Sequence, residues 1–247
     1  MQITRRNVGL TVDDSLMRLY VAAPEPPGLY PGVLFYSDIY QLGGPITRLA
    51  DRLAGYGYVV AAPEIFHRLE PIGAVIEPDD LGRLRGNDDA ARSAIAHYDA
   101  DAEAVLAWLQ KEETVAPEQL GTFGFCIGGH LAFRAAFQSQ VKAAVCCYPT
   151  GIHNGKLGQG IADTIERVSE LKASVLTVFG TLDPHVPPEG RQKILQALDA
   201  AKVSHQTLLY EANHTFMRDD GYRYDPVATD AVWREAVAFL ANHLSAA

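Results

Sequence analysis

The chain has 247 residues, a length that suits one large α/β domain as well as two small ones. Apolar residues make up 48% and charged residues 21%, an ordinary globular balance with ample material for a layered core. The formal net charge of −9 argues against nucleic acid and anionic membranes as general partners, while a pocket could still be locally basic. Only three cysteines occur, Cys126, Cys146 and Cys147, two of them adjacent. That is a poor disulfide framework and points to a reducing compartment. The opening segment, MQITRRNVGLTVDDS, has two arginines but no apolar stretch behind them. No run approaches the roughly 18 apolar residues of a membrane helix. A cytoplasmic protein without membrane or nucleic-acid partners is expected, as a monomer or homodimer, with no cofactor and no metal.

Strand-like and helix-like stretches alternate. Leu16–Ala22 reads as a strand, followed by Pro/Gly-rich residues 24–31 and a short apolar run from Val33 to Ser37. Pro45–Ala54 is helix-like, with Ile46, Leu49 and Leu53 on one face, and Tyr58–Ala62 is again a strand. Residues 67–91 are interrupted by Pro71, Gly73, Pro78, Gly82 and Gly86 and read as a long irregular connection, of the kind that shapes binding sites. A helix follows, with Ala102, Val105, Leu106 and Leu109 as its apolar stripe. Leu120–Phe125 is a strand, Gly128–Phe137 a helix and Val141–Tyr148 a strand. Ile161–Leu171 reads as a helix, Val175–Phe179 as a strand, Glu189–Ala201 as a helix and His205–Tyr210 as the last strand. A final helix places Trp233, Val237, Leu240 and Leu244 on one face. Short runs rich in β-branched residues suit parallel strands buried on both faces. The expectation is one α/β domain over residues 1–247, a doubly wound, mostly parallel sheet with helices on both faces.

The chemistry gathers around Gly124-Phe125-Cys126-Ile127-Gly128-Gly129-His130, which closes one strand and opens one helix. This is the context of a nucleophile elbow, with Cys in place of the more usual Ser. The nucleophile sits in strained backbone, small neighbours let strand and helix approach, and the helix N-terminus favours a thiolate. The N–H of Ile127 points where an oxyanion would form. The bland alternative is a buried cysteine acting as a small hydrophobe, the expected state of Cys146 and Cys147. Asp183 follows the strand ending in Gly180, and His214 follows the last strand, so nucleophile, acid and base all fall at carboxyl ends of strands. Asp183 before Pro184 is otherwise a turn residue, and His214 otherwise an ordinary loop histidine. His67, His153 and His185 lie in loops without metal-binding spacing.

Three segments closely resemble the dienelactone hydrolase family: the elbow GFCIGGH, GTLDPHVP around Asp183 and NHTFMRDDGYRYDP around His214. The segment GYVVAAPEIF also fits its pattern, and the likeness runs from about Leu16 to Leu244. The resemblance implies an α/β-hydrolase fold and hydrolysis of an ester or enol-lactone by a Cys126–His214–Asp183 triad. It implies oxyanion donors at Ile39 and Ile127, and a substrate-carboxylate arginine at Arg218. A second arginine would come from the long connection, Arg85 or Arg83. Tyr148 and Phe216 complete the candidate substrate-binding set. One departure stands out: members carry Glu in a Q-E-I-F segment where this chain has Ser37-Asp38-Ile39-Tyr40, so Asp38 is a thiol-activating candidate one methylene short. Asp38 is otherwise a loop acid, and Arg218 otherwise a surface arginine paired with Asp219 or Asp220.

A carboxylate-bearing small lactone is therefore the expected substrate class. A general carboxylesterase or thioesterase on a neutral substrate is the alternative, and a non-catalytic small-molecule binder a further one. A thiol redox protein would want a resolving Cys-x-x-Cys pair, which the chain lacks.

Overall fold

The computed structural model describes residues 1–244, so the last three residues of the expected 1–247 domain lie outside the described residues. Its strands are β1 (Ile3–Val12), β2 (Ser15–Pro24), β3 (Tyr30–Tyr36), β4 (Val59–Pro63), β5 (Val115–Phe125), β6 (Val141–Cys147), β7 (Ser174–Gly180) and β8 (His205–Tyr210). They form one eight-stranded sheet in the order β1-β2-β4-β3-β5-β6-β7-β8. The β1–β2 and β2–β4 pairs are antiparallel and the remaining pairs parallel. Six α-helices are described: α1 (Gly44–Gly55), α2 (Asp80–Arg92), α3 (Ile95–Lys111), α4 (Ile127–Ala135), α5 (Pro188–Ala200) and α6 (Pro226–Leu244).

The burial pattern explains the sequence pattern. All of β4 is buried, as is β6 except for Lys142, because helices cover both faces there. α1 and α6 pack on one face around Leu49, Leu53, Trp233 and Phe239. The other face carries α3, α4 and α5, through residues such as Val105, Leu106, Phe133 and Ile194. An aromatic column ties α6 to the sheet: Trp233 stacks on Phe123 at 5.5 Å, and Phe35 lies 5.4 Å from both Phe123 and Phe125. The four residues of the expected α3 stripe are all buried, and the expected fold class is the one found.

Two local expectations are corrected, and one element is added that the sequence reading left unassigned. The N-terminal segment is a strand, β1, folded back on β2 through Asp13 and Asp14, both at positive φ (46° and 62°). Its outward residues Thr4, Arg5, Arg6 and Asn7 are exposed, so no apolar run announces it. The connection over residues 67–91 is not irregular throughout, since α2 occupies its second half. The Asp79 side chain caps α2 by accepting from the Gly82 N–H at 2.7 Å. Gly82 and Gly86, which read as breakers, are the close-contact points of this helix. A Cβ on Gly82 would lie 1.8 Å from Glu77 O, and one on Gly86 2.5 Å from Ile39 O. Finally, Ile161–Leu171 is a series of turns with one 3-10 turn at Val168–Glu170. Side-chain ties hold it instead of a helix ladder: Arg134 Nη1 to Asp163 at 2.7 Å, and His130 Nε2 with Thr164 Oγ1 at 2.7 Å.

Candidate active site

β5 ends at Phe125 and α4 begins at Ile127, leaving Cys126 alone at the turn. Its backbone sits at φ 59°, ψ −121°, a conformation that a residue with a Cβ adopts only under strain. The surroundings hold it there. The Cys126 N–H donates to Cys147 O at 3.1 Å, and the Cys126 carbonyl accepts from Gly129 and Thr150, each at 3.1 Å. Glycines are obligatory at both flanks: a Cβ on Gly124 would lie 1.9 Å from Gly128 O, and one on Gly128 2.1 Å from Ser37 O. Cys126 is half-buried and opens onto a cleft, whereas Cys146 and Cys147 are fully buried and burial pushes both thiols up.

The loops after β7 and β8 are laced together by backbone bonds. Thr181 N–H donates to Tyr210 O at 2.8 Å and Leu182 N–H to Ala212 O at 3.1 Å. The junction at Gly180 is so close that a Cβ there would approach Ala212 O to 2.2 Å. This lacing delivers Asp183 to His214. Asp183 Oδ2 lies 2.7 Å from His214 Nδ1, and Oδ1 accepts from the His185 N–H at 2.8 Å. Burial is the largest influence on Asp183 and opposes its charge, yet the hydrogen bond and charge of His214 together with His185 outweigh it, and the carboxyl stays below its ordinary range. Burial likewise disfavours a charged His214, but Cys126, by charge and hydrogen bond, and Asp183 raise it to about 10. The imidazole is thus bonded to the carboxyl behind it and lines the same cleft as the thiol of Cys126.

Asp38 sits beside this chain, 2% exposed. Both its oxygens are occupied: Oδ1 accepts from the Tyr40 N–H at 2.9 Å and Oδ2 from Arg218 Nη1 at 2.7 Å. Burial raises the Asp38 carboxyl, with Arg218 as the main counterweight. Arg218 is itself buried, 4.8 Å from the Tyr40 ring centroid, with its Nη2 donating to Asp220 at 3.3 Å. Asp219 instead pairs with Arg48.

The cleft over Cys126 has a volume of about 740 Å³. Ile39, Ile127, Asp38, Arg83 and His214 line it, together with Cys126. The other sequence candidates stand elsewhere. Arg85 is turned to Glu70 and is outside the cleft lining, as is Arg218. Tyr148 and Phe216 are core residues that back the imidazole, with the Tyr148 ring 5.2 Å from that of His214 and 5.5 Å from that of Phe216. Sequence reasoning missed Lys156 and Arg223 as lining residues, and treated His153 and His185 as background. His185 had a usable signal, two residues beyond Asp183; its ring lies 4.5 Å from that of His214. Lys156 had only its place in a glycine-rich loop. Asp38 is the sole acidic residue among the lining residues, against Arg83, Lys156 and Arg223. Among the described residues, no group of three or more His, Cys, Asp or Glu side chains is placed to hold a metal ion. No described helix is long and apolar enough to cross a membrane.

Comparison with known proteins gives a consistent result. A protein of Saccharomyces cerevisiae named "Putative carboxymethylenebutenolidase" is 37% identical over 83% of this chain and 78% of its own length. One of the same name from Synechocystis is 29% identical, covering 87% of each chain. A solved structure from Klebsiella pneumoniae, described as "Putative Dienelactone Hydrolase", matches the fold with a TM-score of 0.86 at 24% identity, covering 98% of this chain and 100% of that one. The dienelactone hydrolase family model matches residues 17–244. On that match and the yeast relative, the chain belongs to the dienelactone hydrolase family, hydrolases that act on ester or lactone bonds.

Proposed function

We propose that this protein hydrolyses a small carboxylate-bearing ester or lactone, of the enol-lactone kind, through a Cys126–His214–Asp183 triad and a thioester intermediate. The observation that carries the reading is the strained Cys126 opening onto the same cleft as His214, which is bonded to Asp183. His214 holds the proton taken from the thiol, and Asp183 fixes the imidazole so that Nε2 faces the sulfur. The Cys126 thiolate attacks the substrate carbonyl carbon, and the carbonyl π-electrons move to oxygen. Ile127 and Ile39 line the same cleft as Cys126, and their N–H groups are the donors for that oxyanion. As the tetrahedral species collapses, the C–O bond to the leaving oxygen breaks and His214 returns its proton to that oxygen. For a lactone the leaving group stays attached as a ring-opened enol or alcohol. Water, deprotonated by His214, then attacks the thioester, the C–S bond breaks, the carboxylic acid departs, and the released sulfur of Cys126 shares the proton left on His214 as at the start.

The charge of the cleft supports an anionic substrate. Arg83, Lys156 and Arg223 line it, and its one carboxylate, Asp38, is engaged by Arg218 and the Tyr40 N–H. On a chain of net charge −9 this is a locally inverted field, which steers anions and grips carboxylates. Asp38 with both oxygens engaged serves to hold Arg218 and Tyr40 beside the nucleophile. The test compares kcat/KM on a carboxylate-bearing lactone and on its neutral methyl ester. Wild type prefers the anion, and the Arg83→Gln, Lys156→Gln, Arg223→Gln triple variant loses the preference by about tenfold or more, the size of one lost charge-assisted contact. A wild-type preference for the neutral ester would move the protein to the general esterase reading.

A further inference from the structure

α2 forms one wall of the cleft, contributing Arg83, Asn87, Ala90 and Ala91. Little apolar surface holds it, since its buried residues are Gly82, Gly86 and Asp89. Its attachment is polar instead. Arg85 grips the Glu70 carboxylate with both arms of its fork, Nε at 2.6 Å and Nη2 on the second oxygen. The Glu70 side chain is 6% exposed despite its charge. The carboxyl of Asp89, one turn beyond Arg85 on the same helix, is coupled electrostatically to that of Glu70. Neighbouring carboxyl groups relieve their repulsion by a shared proton. Asp89 is 4% exposed, and its Oδ2 has no partner in the protein. Burial first, then Glu70, raise Asp89 to about 6, whereas Arg85 holds Glu70 below its ordinary range. The charged or titratable groups facing Asp89 are Glu70, Arg85 and Asp88, with Tyr98 of α3 behind.

This anchored helix presses on one particular residue. Gly86 lies between Arg85 and Asp89, and a Cβ there would fall 2.5 Å from Ile39 O and 3.0 Å from Ile39 Cβ. On its other side the Ile39 segment is pinned by Asp38, bonded to Arg218 and to the Tyr40 N–H. The Ile39 peptide is thus held between a buried ion pair and the Gly86 face of α2.

We propose that Glu70, Arg85 and Asp89 form a clasp that seats α2 against Ile39 and thereby fixes the Ile39 N–H as an oxyanion donor. The proposal rests on the assignment of Ile39 to the oxyanion hole. These three are positioning residues, and Arg85 is one of them rather than a ligand of the substrate carboxylate. Releasing the clasp lets the Ile39 N–H drift from the developing charge, so it weakens transition-state binding more than substrate binding.

The test uses kcat and KM on an activated aryl ester, with active enzyme counted by iodoacetamide labelling of Cys126, so that unfolded protein does not enter kcat. Arg85→Gln and Glu70→Gln should each lower kcat by about tenfold and leave KM within about twofold, a fraction of the 10²–10³ that follows removal of an oxyanion donor outright. Asp89→Asn keeps a hydrogen bond to Glu70 without needing the shared proton. Its kcat relative to wild type should therefore rise as pH climbs through about 6. Gly86→Ala separates the two layers of the argument. If it leaves kcat unchanged, Ile39 is not an oxyanion donor and that reading falls with the clasp. If it lowers kcat while Arg85→Gln and Glu70→Gln do not, the donor stands and the clasp is wrong. A selective rise of KM for carboxylate substrates in Arg85→Gln would return that arginine to substrate binding and overturn the proposal.

Discussion

The two walls of the cleft are held by different forces. On one side, Cys126, Asp183 and His214 stand on the ends of β5, β7 and β8, in loops stitched by backbone hydrogen bonds and glycine contacts. On the other, α2 is held by Arg85, Glu70 and Asp89, and the Ile39 segment by Arg218 and Asp38. The first wall is fixed by the fold itself; the second is fixed by side-chain charges brought from far apart in the chain. In the proposed mechanism the side chains of the first wall carry the chemistry, while the backbone holds the loops they stand on. The side chains of the second carry position, and their loss spreads into stability and pH dependence.

The largest effect should follow from cutting the first wall. Cys126→Ala and His214→Ala should each lower kcat by about 10⁵-fold or more on an aryl ester, and Asp183→Asn by about 10⁴-fold, because triad members act as a unit. The thermal melt of Cys126→Ala should stay near wild type, whereas His214→Ala leaves the buried Asp183 carboxylate without its partner and should melt lower. A loss of melting temperature in Cys126→Ala as large as that of a core variant would dissolve the contrast between the walls.

Next comes the buried pair on the second wall. Arg218→Gln leaves the Asp38 carboxylate buried without its cation, which should cost about 3–5 kcal/mol in denaturant unfolding. The sign with pH is fixed. Asp38 is already raised by burial and rises further without Arg218, so the variant's deficit appears as pH climbs through that carboxyl's pKa and vanishes below about 4, where folded and unfolded forms are both protonated. A deficit independent of pH would point to lost packing on Tyr40 instead.

The legibility of the sequence divides along the same line. The elbow was readable because strained backbone at Cys126 demands small residues at Gly124 and Gly128, which stand within two positions of it. The strand ends carrying Asp183 and His214 were readable from apolar runs. α2 was not, because it buries glycines and an acid and has no apolar stripe, and β1 was not, because its outward side is polar. Of the partners of Arg218, the neighbouring Asp220 was legible and the nearer Asp219 proves to belong to Arg48, while Asp38 was missed for a distance reason, being 180 residues away in the chain.

A smaller effect tests the clasp on stability. The Asp89 carboxyl is raised from its ordinary 3.8 to about 6, so its contribution is fully present below about 4 and is lost as pH rises through 6. Melting temperatures of wild type and Asp89→Asn should diverge across that window, with wild type falling relative to the variant. Parallel curves would remove the shared proton. The smallest effect is the control: Arg92 and Asp88 pair at 3.2 Å on the exposed face of α2, and Arg92→Ala should change stability by less than about 0.5 kcal/mol.

The central claim, a covalent thioester on Cys126, is tested most directly by quenching the enzyme in acid during turnover of a slow aryl ester, then reading intact mass and peptide map. The account predicts one acyl group per chain, on the peptide containing Cys126, sensitive to hydroxylamine and absent from Cys126→Ala. An acyl group on any other residue, or steady hydrolysis by Cys126→Ala, would contradict it.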